Sequence, residues 1–280
     1  CNYNELATDI GECIYYPVPF FNCDGTPQIG ANYEGGVLFY LDETGTKGLV
    51  ASIDDLDSTY QCGCFLENIY GADAKFIGTG YKNTIDILNA DCMLAENVSV
   101  EGHFDGPYVY FEGVNAAQAA INYEINGYDD WFLPSKYEVR EMFNTIVNGE
   151  PLGNLLGLSG YYISSTEFDE NSFWSAFINT DFFAESQGLK FASDYNVRPI
   201  RAFGYTLGCT NQSACNFNSE ADMIDDSCEL PNQGYDCEGN LVQIGSEAFG
   251  GIVFYIDETG HHGLVAAKSM RSEDVVNMSE

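Results

Sequence analysis

The chain has 280 residues, more than one typical domain, and 45% of them are hydrophobic, which is enough for a substantial core. Ten Lys and Arg stand against 43 Asp and Glu, a net charge of −33 that repels phosphate backbones and anionic lipid headgroups, so neither nucleic-acid binding nor electrostatic membrane docking is expected. No run of about 18 apolar residues is present, so direct membrane insertion is not expected either.

Residues 1–28 are rich in Cys, Asn and Asp and too poor in apolar side chains to hold a core without staples. Cys1, Cys13 and Cys23 are odd in number within this first module. Asn2, Asn4, Asp9 and Glu12 place hard oxygen donors on a short constrained loop, the donor chemistry of Ca2+, although the central Gly and terminal Glu of an EF-hand are missing. The competing reading is that Asn and Asp side chains cap turns.

Residues 29–205 form a larger domain. The run Val37–Leu41 ends in Asp-Glu-Thr-Gly and is followed by Gly48–Ala51, which predicts a hairpin. Asp54, Asp55 and Asp57 read as a solvated loop or as a second cation site. Cys62 and Cys64 are too close to bond each other easily, so one of them is expected to reach Cys92. A reactive Cys62/Cys64 couple is the catalytic alternative to that structural bridge, and His103 stands alone without a nucleophile or acid at a recognised spacing. Asn83–Leu94 and Ala116–Ile125 read as helices. After Trp131-Phe132-Leu133-Pro134, Ser135 and Glu138 make a capping box, and Val139, Met142, Phe143, Ile146 and Val147 recur at helical spacing until Gly149. Three strand-like runs follow, Tyr161–Ser165, Phe173–Ile178 and Tyr195–Phe203. Hairpin, helices, then strands predict an α+β domain. Trp131, Trp174, Arg198 and Arg201 read either as a sugar-stacking set or as packing residues, the arginines pairing with buried carboxylates.

Residues 206–243 repeat the Cys-rich module. Cys209, Cys215, Cys228 and Cys237 allow two bridges in three connectivities, and Asn216, Asn218, Asp225 and Asp226 repeat the calcium-type donors. Residues 244–280 begin a second large domain. GVLFYLDETGTKGLVAS from Gly36 returns as GIVFYIDETGHHGLVAA from Gly251, CNYNELATDIGEC from Cys1 returns as CNFNSEADMIDDSC from Cys215, and FNCDG around Cys23 matches YDCEG around Cys237. Three collinear matches at about 214–215 residues define a tandem repeat. One full repeat spans about 1–214 and the next is cut at 280, so the natural molecule is expected to be longer at both ends. Three His, two of them the adjacent His261 and His262, leave a Cys/His zinc site without partners, and disulfides formed outside the cytosol explain the cysteines better.

The order GVLFYLDETGTKGLVA, GYKNT, GYDDWFLPSKYEV, YYISSTE, FWSAF and NVRPIRAF, over about 33–205, resembles the Lcl C-terminal domain family, which overlaps the Fibrobacter succinogenes major paralogous domain. The resemblance implies a C-type-lectin-like fold, similar to the formylglycine-generating-enzyme core, and a surface-exposed binding or adhesive role. The adhesin of that family binds sulfated polysaccharides, but a domain this acidic lacks the basic face sulfate would need. GCTNQSACNFNSEADMIDDSC with GYDCEGN resembles a repeat of marine Bacteroidota surface proteins, which implies export. The expectation is a non-catalytic, secreted or cell-surface tandem-repeat protein that assembles with itself into a filament or matrix. The alternative is a calcium-assisted adhesin for extracellular glycans. Ca2+ is the one cofactor entertained, and no organic cofactor is expected.

Overall fold

The computed structural model describes residues 26–97, 108–147, 156–180, 182–232, 235–239, 242–249, 251–257 and 262–267. Cys1, Asn2, Asn4, Asp9, Glu12, Cys13, Cys23, His103, Gly149 and His261 lie outside the described residues. The chain divides into two compact units, Cys1–Tyr205 and Thr206–Glu280.

The first unit is built on an antiparallel sheet in the order β1 (Asn32–Tyr33), β2 (Gly36–Leu41), β3 (Gly48–Ala51) and, from the far end of the unit, β9 (Ile200–Phe203). The apolar run of β2 is unbroken rather than alternating because both sheet faces are covered. A register shift between Leu38 and Tyr40 accompanies this. Phe39 joins Leu49, Phe132, Val139, Met142 and Ile200 in the main core, while Leu38 packs with Val50 and Trp131 on the other side. In the β2–β3 turn the Asp42 carboxylate accepts backbone N–H from Thr46 and Lys47 and the hydroxyl of Thr44. Gly45 supplies the left-handed residue there, at φ 71°.

Between β3 and β9 come α1 (Gly80–Asn89), β4 (Leu94–Asn97) paired with β5 (Tyr108–Phe111), α2 (Ala116–Ile121), α3 (Lys136–Met142) and an antiparallel sheet of β6 (Gly160–Glu167), β7 (Ser172–Ile178) and β8 (Phe183–Leu189). α3 begins with the capping box: Ser135 Oγ accepts the Glu138 N–H and the Glu138 carboxylate accepts the Ser135 N–H. It runs into a π-helical turn, Phe143–Val147, which keeps Phe143, Ile146 and Val147 buried in the main core.

The mixture of short strands and short helices agrees with the α+β expectation, and several boundaries differ. The helix expected over 83–94 starts three residues earlier and stops at Asn89, because Asp91 takes a left-handed backbone (φ 50°) and Leu94 enters β4. The helix expected to reach Ile125 ends at Ile121, before the left-handed Asn126 and Gly127 turn. Of the run Tyr195–Phe203 only Ile200–Phe203 is strand; Tyr195 and Asn196 make isolated bridges to Tyr60 and Tyr162, and Pro199 has no N–H for a ladder. Strands β4, β5 and β8 carry no sequence signal used above.

The second unit opens with β10 (Leu207–Gly208) lying parallel to β11 (Met223–Ile224), stapled by Cys209–Cys228 and Cys215–Cys237. Further on it holds an antiparallel sheet of β12 (Glu247–Ala248), β13 (Gly251–Ile256) and β14 (Gly263–Ala267).

Candidate functional site

The most informative geometry is the recurrence itself. Ile252↔Ala266, Val253↔Val265, Tyr255↔Leu264 and Ile256↔Gly263 repeat Val37↔Ala51, Leu38↔Val50, Tyr40↔Leu49 and Leu41↔Gly48 at a constant offset of 215 residues, with the same register shift. The flanking bonds repeat as well. Gly245 N–H to Val253 O, Val253 N–H to Ser246 O and Asp257 N–H to His262 O reproduce Gly30 to Leu38, Leu38 to Ala31 and Asp42 to Lys47. Burial recurs only in part, Val253 being buried as its counterpart Leu38 is. Phe39, Leu49 and Val50 are fully buried, whereas Phe254, Leu264 and Val265 are 54%, 55% and 41% exposed.

In the Cys-rich module the oxygen donors serve the local backbone. Asn216 Nδ2 donates to the Ser227 carbonyl (2.5 Å) and its Oδ1 accepts the Glu229 N–H (2.8 Å), tying together the two segments that Cys215 and Cys228 also anchor. Asn218 Oδ1 accepts from Glu220 N–H and Asp225 Oδ1 from Ser227 N–H, each two residues on, while Asp226 holds a left-handed backbone at φ 63°. These are side-chain-capped turns. Among the described residues no three His, Cys, Asp or Glu side chains gather as a metal cluster.

Cys64 bonds Cys92, and Cys62 is a buried free thiol, which corrects its expected place among the disulfides. Cys62-Gly63-Cys64 turns through left-handed backbone at Gly63 (φ 86°) and Cys64 (φ 53°), and a Cβ at Gly63 would stand 2.8 Å from the Cys92 Cβ. The turn thus presents one sulfur to Cys92 and buries the other. Burial pushes the Cys62 thiol up to about 12, far from a reactive thiolate.

The arginines anchor loops. Arg198 donates to Asp55 Oδ1 (2.7 Å) and to the carbonyls of Ser52, Ile53 and Leu156. Asp55 also accepts the Tyr162 hydroxyl (3.0 Å), so this member of the acidic stretch belongs to an internal network and not to a solvated loop. Burial pushes the Tyr162 phenol up to about 12. Arg201 forks onto Asp130 (2.6 and 2.8 Å), reaches Glu34 and covers the Tyr128 ring. Trp131 is fully buried, its Nε1 donating to Tyr128 O, and the Trp174 ring lies under Lys136 Nζ at 3.2 Å. Trp131 is thereby closed to a sugar, and Lys136 occupies a face of the half-buried Trp174 ring.

Sequence reading missed Lys190, which is fully buried and bonded to Glu167 (2.5 Å) and the Glu67 carbonyl (2.6 Å). A single Lys after a strand carries no local mark of burial. With it, every cation among the described residues has an internal partner: Lys82 has Asp86, Lys136 and Arg140 share Glu185, and Lys47 and Lys75 lie over Tyr205 and Trp174. The described cations are thus committed to holding the fold. No known protein-family model and no curated protein matches the chain.

Proposed function

We propose that this chain is a non-catalytic building block of a secreted, tandem-repeat surface protein that assembles into an extracellular filament or matrix. The observation that carries the reading is the second hairpin, which repeats the register and register shift of the first at 215 residues. Two further features support it. Disulfides brace both the Cys-rich module and the larger domain, as an oxidising location favours. Among the described residues no helix is long and apolar enough to cross a membrane. In this reading the larger domain is a C-type-lectin-like member of the Lcl C-terminal domain family, supported by the WFLPS and VRPIRAF segments that build its core and its closing strand. Small-angle scattering of the oxidised chain over a range of concentrations tests assembly. Growth into elongated, end-to-end particles is expected, and a compact particle of constant mass at all concentrations excludes the filament.

A second reading, a carbohydrate-binding adhesin, is favoured by one specific feature. Tyr161 and Phe177 pair across β6 and β7 with ring centroids 4.9 Å apart, Phe182 stands 6.4 Å beyond, and Tyr161 and Phe182 are 47% and 54% exposed. Such a row suits stacking of neutral sugars. Binding on a glycan array, repeated with calcium removed, is the test; silence in both arms eliminates this reading.

A further inference from the structure

Asn126 and Gly127 pair a carboxamide with an unhindered backbone nitrogen, next to the clamp that holds β9. Both take left-handed backbone, at φ 55° and 82°, in a two-residue turn closed by Ile125 N–H to Tyr128 O (3.1 Å) and Tyr128 N–H to Ile125 O (3.0 Å). Both are exposed. Among the described residues no acceptor holds the Gly127 N–H and nothing bonds the Asn126 carboxamide, and a Cβ on Gly127 would meet no atom within 4 Å. The other Asn-Gly pair, Asn148-Gly149, lies outside the described residues. Immediately after the turn, the Tyr128 ring lies 4.2 Å from the Arg201 guanidinium and presses on the bare backbone of Gly35, where a Cβ would stand 2.7 Å from it. The Tyr128 carbonyl accepts Trp131 Nε1, and Asp130 forks onto Arg201. Arg201 belongs to β9, whose partner is β3.

We propose that Asn126 is a self-modification site: it loses its amide through a succinimide, becomes a mixture of aspartate and isoaspartate, and in the isoaspartate form loosens the Arg201 clamp. The Gly127 nitrogen attacks the Asn126 Cγ, the new C–N bond closes the succinimide ring, and the Cγ–Nδ2 bond breaks. Nδ2 leaves as ammonia, taking the proton that the Gly127 nitrogen gave up. Water then adds to one of the two ring carbonyls. Opening at Cγ leaves aspartate. Opening at the α-carbonyl leaves isoaspartate, whose main chain runs through Cβ and Cγ and is longer by a methylene. The balance is asparagine plus water giving the acid plus ammonia, so solvent is the co-reactant. Glycine matters as the attacking residue, since a Cβ would crowd the nitrogen as it swings toward Cγ. An exposed turn bonded only through its flanking residues can open locally for that approach. A two-residue turn has no slack for an added methylene, so isoaspartate displaces Tyr128 from Gly35 and Arg201.

The test is independent of the filament reading. The intact oxidised chain is aged without denaturant in mildly alkaline buffer, then mapped by peptide mass, with isoaspartyl methyltransferase as the probe for isoaspartate. Residue 126 should gain about 1 Da at least about tenfold faster than Asn122, whose Oδ1 is held by Gln118 Nε2 and whose neighbour is Tyr123. In the isoaspartate-bearing fraction the amides of 200–203 should exchange at least about tenfold faster than in fresh chain. Asn126→Gly keeps a favoured pair for this turn and has no amide to lose, so it should show neither change on ageing. Asn126→Asp adds the charge without the methylene and should leave exchange at 200–203 as in fresh chain. Absence of a mass gain at residue 126, or a gain no faster than at Asn122, overturns the site. A gain at residue 126 with unaltered exchange at 200–203 overturns the loosening of the clamp and leaves the site standing. Equally fast exchange in Asn126→Asp overturns the inserted methylene as its cause.

Discussion

Arg198 uses its guanidinium on four acceptors from two loops, and Arg201 holds two carboxylates from separate parts of the chain. In a chain so short of cations, each buried one fixes several segments at once. Removing Arg198 leaves the buried carbonyls of Ser52 and Leu156 and the part-exposed Asp55 carboxylate without this donor. Arg198→Ala should therefore lower unfolding free energy by about 3–5 kcal/mol in urea titrations. Arg198→Lys should recover only a minor part, because an ammonium cannot reproduce the planar fork. Cys62 supports a second expectation at this scale. With its thiol pushed up to about 12 by burial, iodoacetamide at pH 8 should leave Cys62 unmodified in the native protein and label it once urea unfolds the chain. Labelling in the native state would reopen the reactive-cysteine alternative. That arginines would meet carboxylates could be read from composition; which carboxylates could not.

At the scale of elements, α3 shows how a local motif takes on tertiary work. The capping box is written in Ser135 and Glu138, yet the Glu138 carboxylate also accepts the Gly78 N–H, from a loop 60 residues earlier, and is fully buried. Burial, opposed by those hydrogen bonds, raises its pKa from 4.5 to about 7. The protonated form is thus favoured by folding: its contribution is complete below pH 4.5 and is lost as pH rises through about 7. Up to about 3 kcal/mol of pH-dependent stability follows from a shift of that size. Between pH 5 and pH 8 the stability of the wild type should fall relative to that of Glu138→Gln, since only the wild type carries this loss; parallel curves would refute the assignment. The Cys-rich module depends on a different device. Its bridges close loops of 19 and 22 residues, each adding about 3 kcal/mol by restricting the unfolded chain. Reduction should accordingly abolish exchange protection across 207–239 while the β2–β3–β9 sheet remains protected. The pairing 209–228 and 215–237 was one of three permitted by sequence, and chain geometry chose it.

For the molecule as a whole, the net charge of −33 exceeds what the internal ion pairs neutralise, and self-repulsion opposes compaction. The pairs of Lys190 and Arg198 are buried, so salt screens the repulsion more than it screens them. Raising NaCl from 10 mM to 0.5 M should increase Tm by about 3 °C or more in a calorimetric scan, and a fall would show that surface pairs dominate instead.

The sequence by itself determined the repeat, through collinear matches about 214–215 residues apart, and also the hairpin with its Asp-Glu-Thr-Gly turn, the capped helix and the Cys-rich module, each encoded by residues adjacent in the chain or one helical turn apart. Only the tertiary structure decided that Cys64 and not Cys62 bonds Cys92, that Asp55 and Asp130 hold the arginines, and that Lys190 is buried. Local patterns specify which conformation a segment prefers. Partners such as Asp55 and Arg198, 143 residues apart, are chosen when the fold brings distant segments together, and no local pattern records that choice.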